Sequence, residues 1–369
     1  MMKLILVVAA RPNFMKIAPI QAELAKSPDA FQPVLVHTGQ HYDARMSDVF
    51  FQDLGIPEPA YHLGVGSGTH AEQTGRTMMA FEPVLASEAP DLVVVVGDVT
   101  ATVACAVDAA KMGIPVAHVE AGLRSRDRKM PEEINRVLTD AISDLLLTPS
   151  ADANQNLKQE GVAEARIRLV GNVMIDSLRR LEDRADASPV LESLGVAPGA
   201  YALMTLHRPS NVDNRTILEG ILSALHPIQR RVPVVFPAHP RTRKMIDQFG
   251  MGDRVTEMTG LKLTDPVGYL DFLKLQKHAA LVLTDSGGVQ EETTALGVPC
   301  LTLRENTERP VTVTVGTNTL VGMNPDRIVA EAQAVLDGRY KAGHIPDLWD
   351  GRTAKRIVAA FRAFGRGKG

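Results

Sequence analysis

Two cysteines stand in a chain of 369 residues, Cys105 and Cys300, and they lie far apart. Each sits in an apolar run with no CxxC and no His–Cys spacing, so zinc ligation is excluded. Both read as small core residues of a reducing compartment. Aromatic residues are only 4% of the chain, with a single tryptophan, Trp349. No apolar run approaches the ~18 residues that a membrane span requires. The start, MMKLILVVAARP, has an apolar core only from Leu4 to Ala10, which fits a buried first strand better than a signal peptide. A cytoplasmic protein is the expectation. Neither sign of charge dominates, the formal net charge being -3. Nucleic acid and acidic membrane surfaces are therefore not expected partners, and an anionic ligand would need local cations.

What is present is alternation. LILVVAA (4–10), PVLVHT (33–38), DLVVVVG (91–97), PVAHVE (115–120), LLLTPS (145–150) and IRLVG (167–171) are strand-like. Helix-period segments such as 100–113 and 132–144 lie between them. Runs that are apolar on both faces belong to a parallel sheet covered by helices. The pattern pauses over 183–200, then restarts with YALMTL (201–206), VPVVFPA (232–238), RVTEM (254–258), ALVLTD (280–285), VPCLTL (298–303) and NTLVG (318–322). An α/β fold of two Rossmann-like domains follows, residues 1–170 and 171–351, with a last helix at 352–369. Two such domains joined by a short linker imply an interdomain cleft.

Ligands of such sheets bind beyond the carboxyl ends of the strands. Arg11 and Lys16 follow the first strand, Asp98 follows DLVVVVG, and Glu120 ends PVAHVE. In the second half, His207-Arg208, His239 and Asp285-Ser286-Gly287-Gly288 take the equivalent places. One ionisable group at a strand end is unremarkable; six spread over both halves favour a shared site. DSGGVQEE (285–292) can approach a ligand closely through its glycines and offer helix N–H groups to phosphate, with Glu291 or Glu292 free to accept ribose hydroxyls. The alternative reading is a tight turn with acids favoured by the helix dipole. Arg11 and Lys16 suit a diphosphate. Asp98 is either a helix-start residue or a catalytic carboxylate, and the two histidines are either structural or functional.

The segment HVEAGLRSRDRKMPEEINR (118–136) concentrates four carboxylates and five cations. Glu120 ends a strand, and Glu132 follows Pro131 at a helix start, where the dipole favours an anion. Glu133 and Asp127 read as structural or solvated. Arg124, Arg126, Arg128 and Lys129 form a basic loop that could meet a ligand or a second subunit.

Taken in order, ARPNFMK, HTGQHYD, VGDVTAT, HVEAGLRSRDRKMPEEINR, GNVMIDSL, TLHRPSNVDN, PAHPRTR, DPVGYL, LTDSGGVQEE and TERPVTV resemble the non-hydrolysing UDP-N-acetylglucosamine 2-epimerases. The likeness runs over roughly residues 3 to 322. It implies the glycosyltransferase B-type arrangement, a last helix packed on the first domain, a homodimer, and a cytoplasmic isomerase serving cell-surface polysaccharide synthesis. By motif, it implies that Arg11 and Lys16 contact the diphosphate and that Asp98, Glu120, Glu132 and His207 surround the sugar. It further implies phosphate on Ser286, Gly287 and Gly288, ribose on Glu292, and Arg309, Arg136 and His239 among the substrate-binding groups.

The chemistry asks for such a set. C2 of the sugar has no neighbouring carbonyl, so its proton leaves only as UDP departs from C1, giving a 2-acetamidoglucal. Re-protonation from the other face with return of UDP inverts C2. Asp98 and Glu120 are the expected proton-transfer pair, Glu132 assists, and His207 supports the leaving group. No hydride moves overall, so no nicotinamide or other cofactor is expected.

There are departures. The first loop reads Ala9-Ala10-Arg11-Pro12-Asn13 where many members have Gly-Thr/Ala-Arg-Pro-Glu. Gln40, His41 and His239 match parts of the allosteric UDP-sugar site of many bacterial members, but Tyr42-Asp43 and the SGTH loop (67–70) do not, which argues against allosteric activation. HTGQHYD, SGTHAEQTGR and DPVGYL also occur in the branch acting on UDP-2,3-diacetamido-2,3-dideoxyglucuronate, the alternative substrate. A glycosyltransferase of the same architecture and a non-catalytic nucleotide-sugar sensor are the remaining alternatives.

Overall fold

Two runs of five or more fully buried aliphatic residues, Leu4–Val8 and Leu92–Val96, set the centre of the first sheet. Only a strand covered on both faces buries such a run, which is why the sheet is parallel. The computed structural model describes residues 1–39 and 54–366, and the side chain of Arg11 falls outside that description. The described chain forms two compact units, Met1–Ser177 with Asp347–Gly369, and Leu178–Pro346.

In the first unit the strands are β1 (Met2–Val8), β2 (Phe31–His37), β3 (Tyr61–His62), β4 (Leu92–Val96), β5 (Val116–Val119), β6 (Leu145–Thr148) and β7 (Ile167–Leu169). They lie in the order β3-β2-β1-β4-β5-β6-β7, every neighbour parallel. The second unit has β8 (Ala202–Thr205), β9 (Val234–Pro237), β10 (Leu261–Thr264), β11 (Leu281–Thr284), β12 (Cys300–Thr302) and β13 (Asn318–Leu320). Their order is β10-β9-β8-β11-β12-β13, again parallel. Both are doubly wound sheets whose strand order reverses once, between β1 and β4 and between β8 and β11. That reversal parts the flanking crossovers and opens a crevice at the carboxyl ends.

The last helix, Thr353–Arg366, belongs to the first unit and packs on the helix Arg11–Leu24. It buries Ile357, Val358 and Phe361, each worth about 1.5–3 kcal/mol. Asp176 caps its start, accepting from the N–H groups of Thr353 (3.0 Å) and Ala354 (2.7 Å). Trp349 is buried before it, and its indole N–H donates to the Pro149 carbonyl at 3.0 Å.

Three features differ from the sequence reading. RVTE of that segment is helical, within Gly252–Glu257, and the strand is the following LKLT. LKLT lies at a sheet edge and is only half-buried, so it lacks the apolar signal that RVTEM seemed to carry. The stretch 183–200 is no linker. Val190 and Leu191 are buried there, Lys274 Nζ donates to the Asp186 carbonyl at 2.9 Å, and the Ser188 hydroxyl donates to Asp271 at 2.5 Å. The division between the two compact units falls between Ser177 and Leu178, inside the helix Val173–Asp186. The short strand β3 was not anticipated, since two residues carry no periodicity.

Candidate active site

In the first unit, β1, β4 and β5 deliver their carboxyl ends side by side. After β1 the chain turns directly into the helix Arg11–Leu24. Asn13 fastens this turn: its Oδ1 accepts from the Ala10 N–H at 2.9 Å, and its Nδ2 donates to the Val96 carbonyl at 3.0 Å. Neither Ala9 nor Ala10 takes a left-handed conformation, so the turn needs no glycine. Asn13 thereby joins the ends of β1 and β4, a role the sequence did not reveal.

Lys16 on this helix forms a buried ion pair with Glu120. Gly97 separates β4 from Asp98 and has φ +67°. Glycine is favoured there by its left-handed conformation, and a Cβ, 2.9 Å from Lys16 Nζ, would shift the lysine. Glu120 itself has φ +72°, which is uncommon for a residue with a side chain. Backbone strain of this kind costs about 1–3 kcal/mol and concentrates at functional sites. The conformation is held by the N–H groups of Glu120 and Ala121, both donating to the Leu147 carbonyl at 3.0 and 3.1 Å.

Asp98 is ion-paired with Arg136, and its carbonyl accepts from Asn135 Nδ2 at 2.8 Å. Arg136 is buried and is also gripped by Glu133, whose Oε2 lies 2.7 Å from Nη2. Burial would raise the Glu133 carboxyl, but Arg136 and the N–H groups of Ser125 and Arg126 bring it below the ordinary range. Glu133 is thus structural, as its position suggested. Glu132 is half-buried in the first turn of the helix Pro131–Ile142. Residues 132, 136 and 140 lie on one stripe of that helix, at successive four-residue steps. Arg11 lies at the start of its helix, with its side chain outside the described set.

The basic loop divides. Arg124 is buried and paired with Asp140 (2.7 Å) and Glu160 (2.6 Å), whereas Arg126, Arg128 and Lys129 are exposed. The SGTH loop starts a helix: Thr69 Oγ1 accepts from the Glu72 N–H at 3.3 Å, and Glu72 accepts from the Thr69 N–H at 2.8 Å. Gln40, His41, Tyr42 and Asp43 lie outside the described residues.

The second unit repeats the placement with different groups. His207 follows β8 and Asp285 follows β11, the two strands at the reversal. His207 Nδ1 stands 2.8 Å from Asp285 Oδ1. The fully buried Asp285 also accepts from the N–H groups of His207 (3.0 Å) and Arg208 (2.8 Å). Burial opposes its charge, but the His207 ring and these N–H groups hold its pKa below the usual carboxylate range. His207 is therefore oriented from behind, its side chain 44% exposed. The His239 ring is centred 6.2 Å from that of His207, and its Nδ1 accepts from the Arg241 N–H at 3.2 Å.

Ser286 precedes the helix Gly287–Leu296 and places no side-chain cap on it. A Cβ on Gly287 would come within 2.5 Å of Arg309 Nη1 and 2.8 Å of Glu308 Oε1. Glycine there lets a buried ionic cluster reach the helix start. In that cluster Arg309 meets Glu308 and, through Nε at 2.7 Å, Glu291. Glu308 also binds Arg304 at 2.7 Å and faces Arg208 at 3.8 Å. Burial alone would push Glu308 up, yet Arg309, Arg304 and Arg208 hold it far below the ordinary range. Gly288 meets no atom within 4 Å of its would-be Cβ, so nothing in the described protein demands glycine there. Glu292 is buried, accepting from the Tyr269 hydroxyl at 2.8 Å and Gln276 Nε2 at 2.6 Å.

The structure thus gathers Lys16, Asp98, Glu120 and Arg136 in one unit, with Glu132 on the same helix as Arg136. In the other it gathers His207 with His239, and Ser286, Gly287 and Gly288 with Arg309. Sequence reasoning missed Asn13, Arg304 and Glu308, and left Asp140 unnamed. Glu308 had a signal in its TERP motif and Asn13 in ARPNFMK, where it stands as a departure from the family, but Asp140 had none. Among the described residues no group of three or more His, Cys, Asp or Glu side chains could hold a metal ion, and no helix is long and apolar enough to cross a membrane.

Residues 22–362 match the family model described as UDP-N-acetylglucosamine 2-epimerase. The chain is 44% identical, over 97% of its length and 98% of the relative's, to a UDP-N-acetylglucosamine 2-epimerase of Methanocaldococcus jannaschii. It is 45% identical, with coverage of 97% and 98%, to a UDP-2,3-diacetamido-2,3-dideoxy-D-glucuronate 2-epimerase of Pseudomonas aeruginosa. The crystal structure of M. jannaschii UDP-GlcNAc 2-epimerase in complex with UDP-GlcNAc and UDP superposes with a TM-score of 0.89 at 43% identity, covering 98% of this chain and 99% of that one.

Proposed function

This chain belongs to the UDP-N-acetylglucosamine 2-epimerase family, and we propose that it interconverts UDP-N-acetylglucosamine and UDP-N-acetylmannosamine. The observation that carries the reading is the pairing of each proposed acid with a cation. Glu120 is paired with Lys16 and Asp98 with Arg136, at adjacent strand ends. A carboxylate that must alternately hold and release a proton needs a neighbour that keeps the charged form available, and a cation supplies that.

In this reading the second unit holds the nucleotide. The N–H groups at the start of the helix Gly287–Leu296 and Arg309 receive the diphosphate, with His207 supporting it as it leaves C1. Gly288 faces open space and allows phosphate close to the backbone. Glu292, fixed by Tyr269 and Gln276, receives the ribose hydroxyls. The first unit acts on the sugar. One of Asp98 and Glu120 removes the C2 proton as UDP departs, the glucal forms, and the other delivers a proton to the opposite face as UDP returns. Arg11 and Lys16 steady the diphosphate, and Glu132 assists.

The proposed enzyme is a cytoplasmic homodimer. Exposed apolar side chains support the dimer: Met79 (69%), Val137 (41%) and Leu138 (48%) stand on the helices His70–Glu88 and Pro131–Ile142, which both pack on Thr100–Lys111. Light scattering on a sizing column gives twice the chain mass if this is right and the single-chain mass if it is not.

The function is tested by incubating purified protein with UDP-N-acetylglucosamine and, separately, with UDP-2,3-diacetamido-2,3-dideoxyglucuronate. The 2-epimer of the first is expected. Turnover of the second alone would move the assignment to that branch, and turnover of neither would end it.

A further inference from the structure

His118 is a buried histidine that the mechanism above does not use. It lies in β5, two residues before Glu120, and is 0% exposed. Its Nε2 stands 2.8 Å from the carbonyl oxygen of Gly97, the residue before Asp98. Its Nδ1 stands 2.6 Å from Asp140 Oδ1. A carbonyl can only accept, so Nε2 carries a proton. Nδ1 then faces a carboxyl group, and the shared proton belongs either to the ring or to Asp140.

The surroundings of Asp140 decide this. Its second oxygen accepts from the Gly122 N–H at 3.0 Å and lies 2.7 Å from Arg124 Nη1. A carboxylate that is 1% exposed and receives two further donors, one of them a guanidinium, is held in its charged form. Burial opposes that charge, but His118 and Arg124 outweigh it, and the Asp140 pKa falls below its ordinary value. Arg124 is in turn held by both oxygens of Glu160, at 2.8 and 2.6 Å. With Asp140 held charged and Nε2 already donating to the Gly97 carbonyl, Nδ1 faces a carboxylate oxygen at 2.6 Å and must donate to it, which leaves the ring doubly protonated.

We propose that His118 is a positioning residue, a buried imidazolium that ties together the three segments bearing the proposed acids. Through Gly97 it holds the turn that aims Asp98. Through its own strand it fixes the approach to Glu120, where the Gly97 N–H also donates to the Val119 carbonyl at 3.1 Å. Through Asp140 it holds the helix whose same stripe carries Arg136, the partner of Asp98, and Glu132. A ring that is charged in both its contacts grips them more tightly than a neutral one, since charge-assisted hydrogen bonds are about twice as strong. The role rests on the epimerase reading, but the charge state does not.

The test combines spectroscopy and kinetics. Histidine-selective ¹⁵N labelling of the wild-type protein at neutral pH should show one ring with protons on both nitrogens in slow exchange with water. That signal should be lost in His118→Gln. In Asp140→Asn the ring should revert to a single proton on Nε2, with the new amide donating to Nδ1. A neutral His118 in the wild type, or a doubly protonated ring that persists in Asp140→Asn, would overturn the charge assignment. For the positioning role, His118→Gln should lower kcat about ten- to hundredfold, as expected for misplaced catalytic groups, while KM stays within about threefold of wild type. An unchanged kcat, or a loss confined to KM, would overturn it. If the wild-type protein turns over no UDP-sugar, the epimerase reading fails while the ¹⁵N result still stands or falls on its own. If His118→Gln does not fold, the wild-type and Asp140→Asn spectra still decide the charge state, and the kcat of Asp140→Asn, expected to fall in the same proportion, decides the role.

Discussion

The two units share one scaffold and differ in what they place at its reversal point. Both sheets run in the same strand order about a central pair, β1 and β4 in one, β8 and β11 in the other. At the first, each proposed acid meets one cation, and the backbone at Glu120 is strained. At the second, three arginines share Glu308 and Glu291 beside a helix start, and the backbone around Gly288 is open. A cluster of arginines beside a helix start suits holding an anion, whereas acids each set beside a cation suit moving protons. The same fold therefore supports two chemistries through a few side chains at equivalent positions.

This contrast is broken most sharply by removing the acids. Asp98→Asn and Glu120→Gln should each lower kcat about 10²- to 10⁴-fold while titration with UDP shows unchanged affinity. Loss of UDP binding in either would erase the division of labour. Arg309→Ala should do the reverse, weakening UDP by about ten- to hundredfold, the worth of a charged hydrogen bond, with smaller effects on the chemical step once saturated.

Asp285→Asn probes the orientation of His207 through stability. Because the folded pKa of Asp285 is depressed from 3.8, its contribution is fully present above the unfolded value and lost as pH falls through the folded one. Denaturant melts should show wild type about 1.5–3 kcal/mol more stable than the variant near pH 6, the gap closing progressively below about pH 4. A gap independent of pH would contradict the ion pair. The smallest effects compare two glycines. Gly97→Ala should cost about 1–2 kcal/mol for its left-handed backbone alone, with further loss of activity as Lys16 is displaced. Gly288→Ala should change stability by no more than about 0.5 kcal/mol, yet weaken UDP binding. Equal melting temperatures for the two variants would show that the glycines are not divided between structure and ligand.

Much of this was legible in the sequence because parallel sheets bury uninterrupted apolar runs, and the residues ending them are placed by the strand itself. Asp98, Glu120, His207 and the Asp285 turn could be named for that reason. The half-buried edge strand Leu261–Thr264 and the two-residue strand Tyr61–His62 lacked that signal. Over 183–200, proline and glycine looked like a linker, although Val190 and Leu191 are buried against the second sheet. The partners were not legible. Arg136 reaches Asp98 from 38 positions away, and Asp140 reaches His118 from 22, distances that only the folded topology closes. The left-handed backbone at Glu120 was hidden too, because glycine is the residue that ordinarily announces it.

The most direct measurement is the fate of the C2 proton. With UDP-N-acetylglucosamine and enzyme in D₂O, the epimer formed should carry deuterium at C2, because one group takes the proton from one face and another returns a solvent-derived proton to the other. Epimer that keeps its original C2 proton throughout would contradict the account.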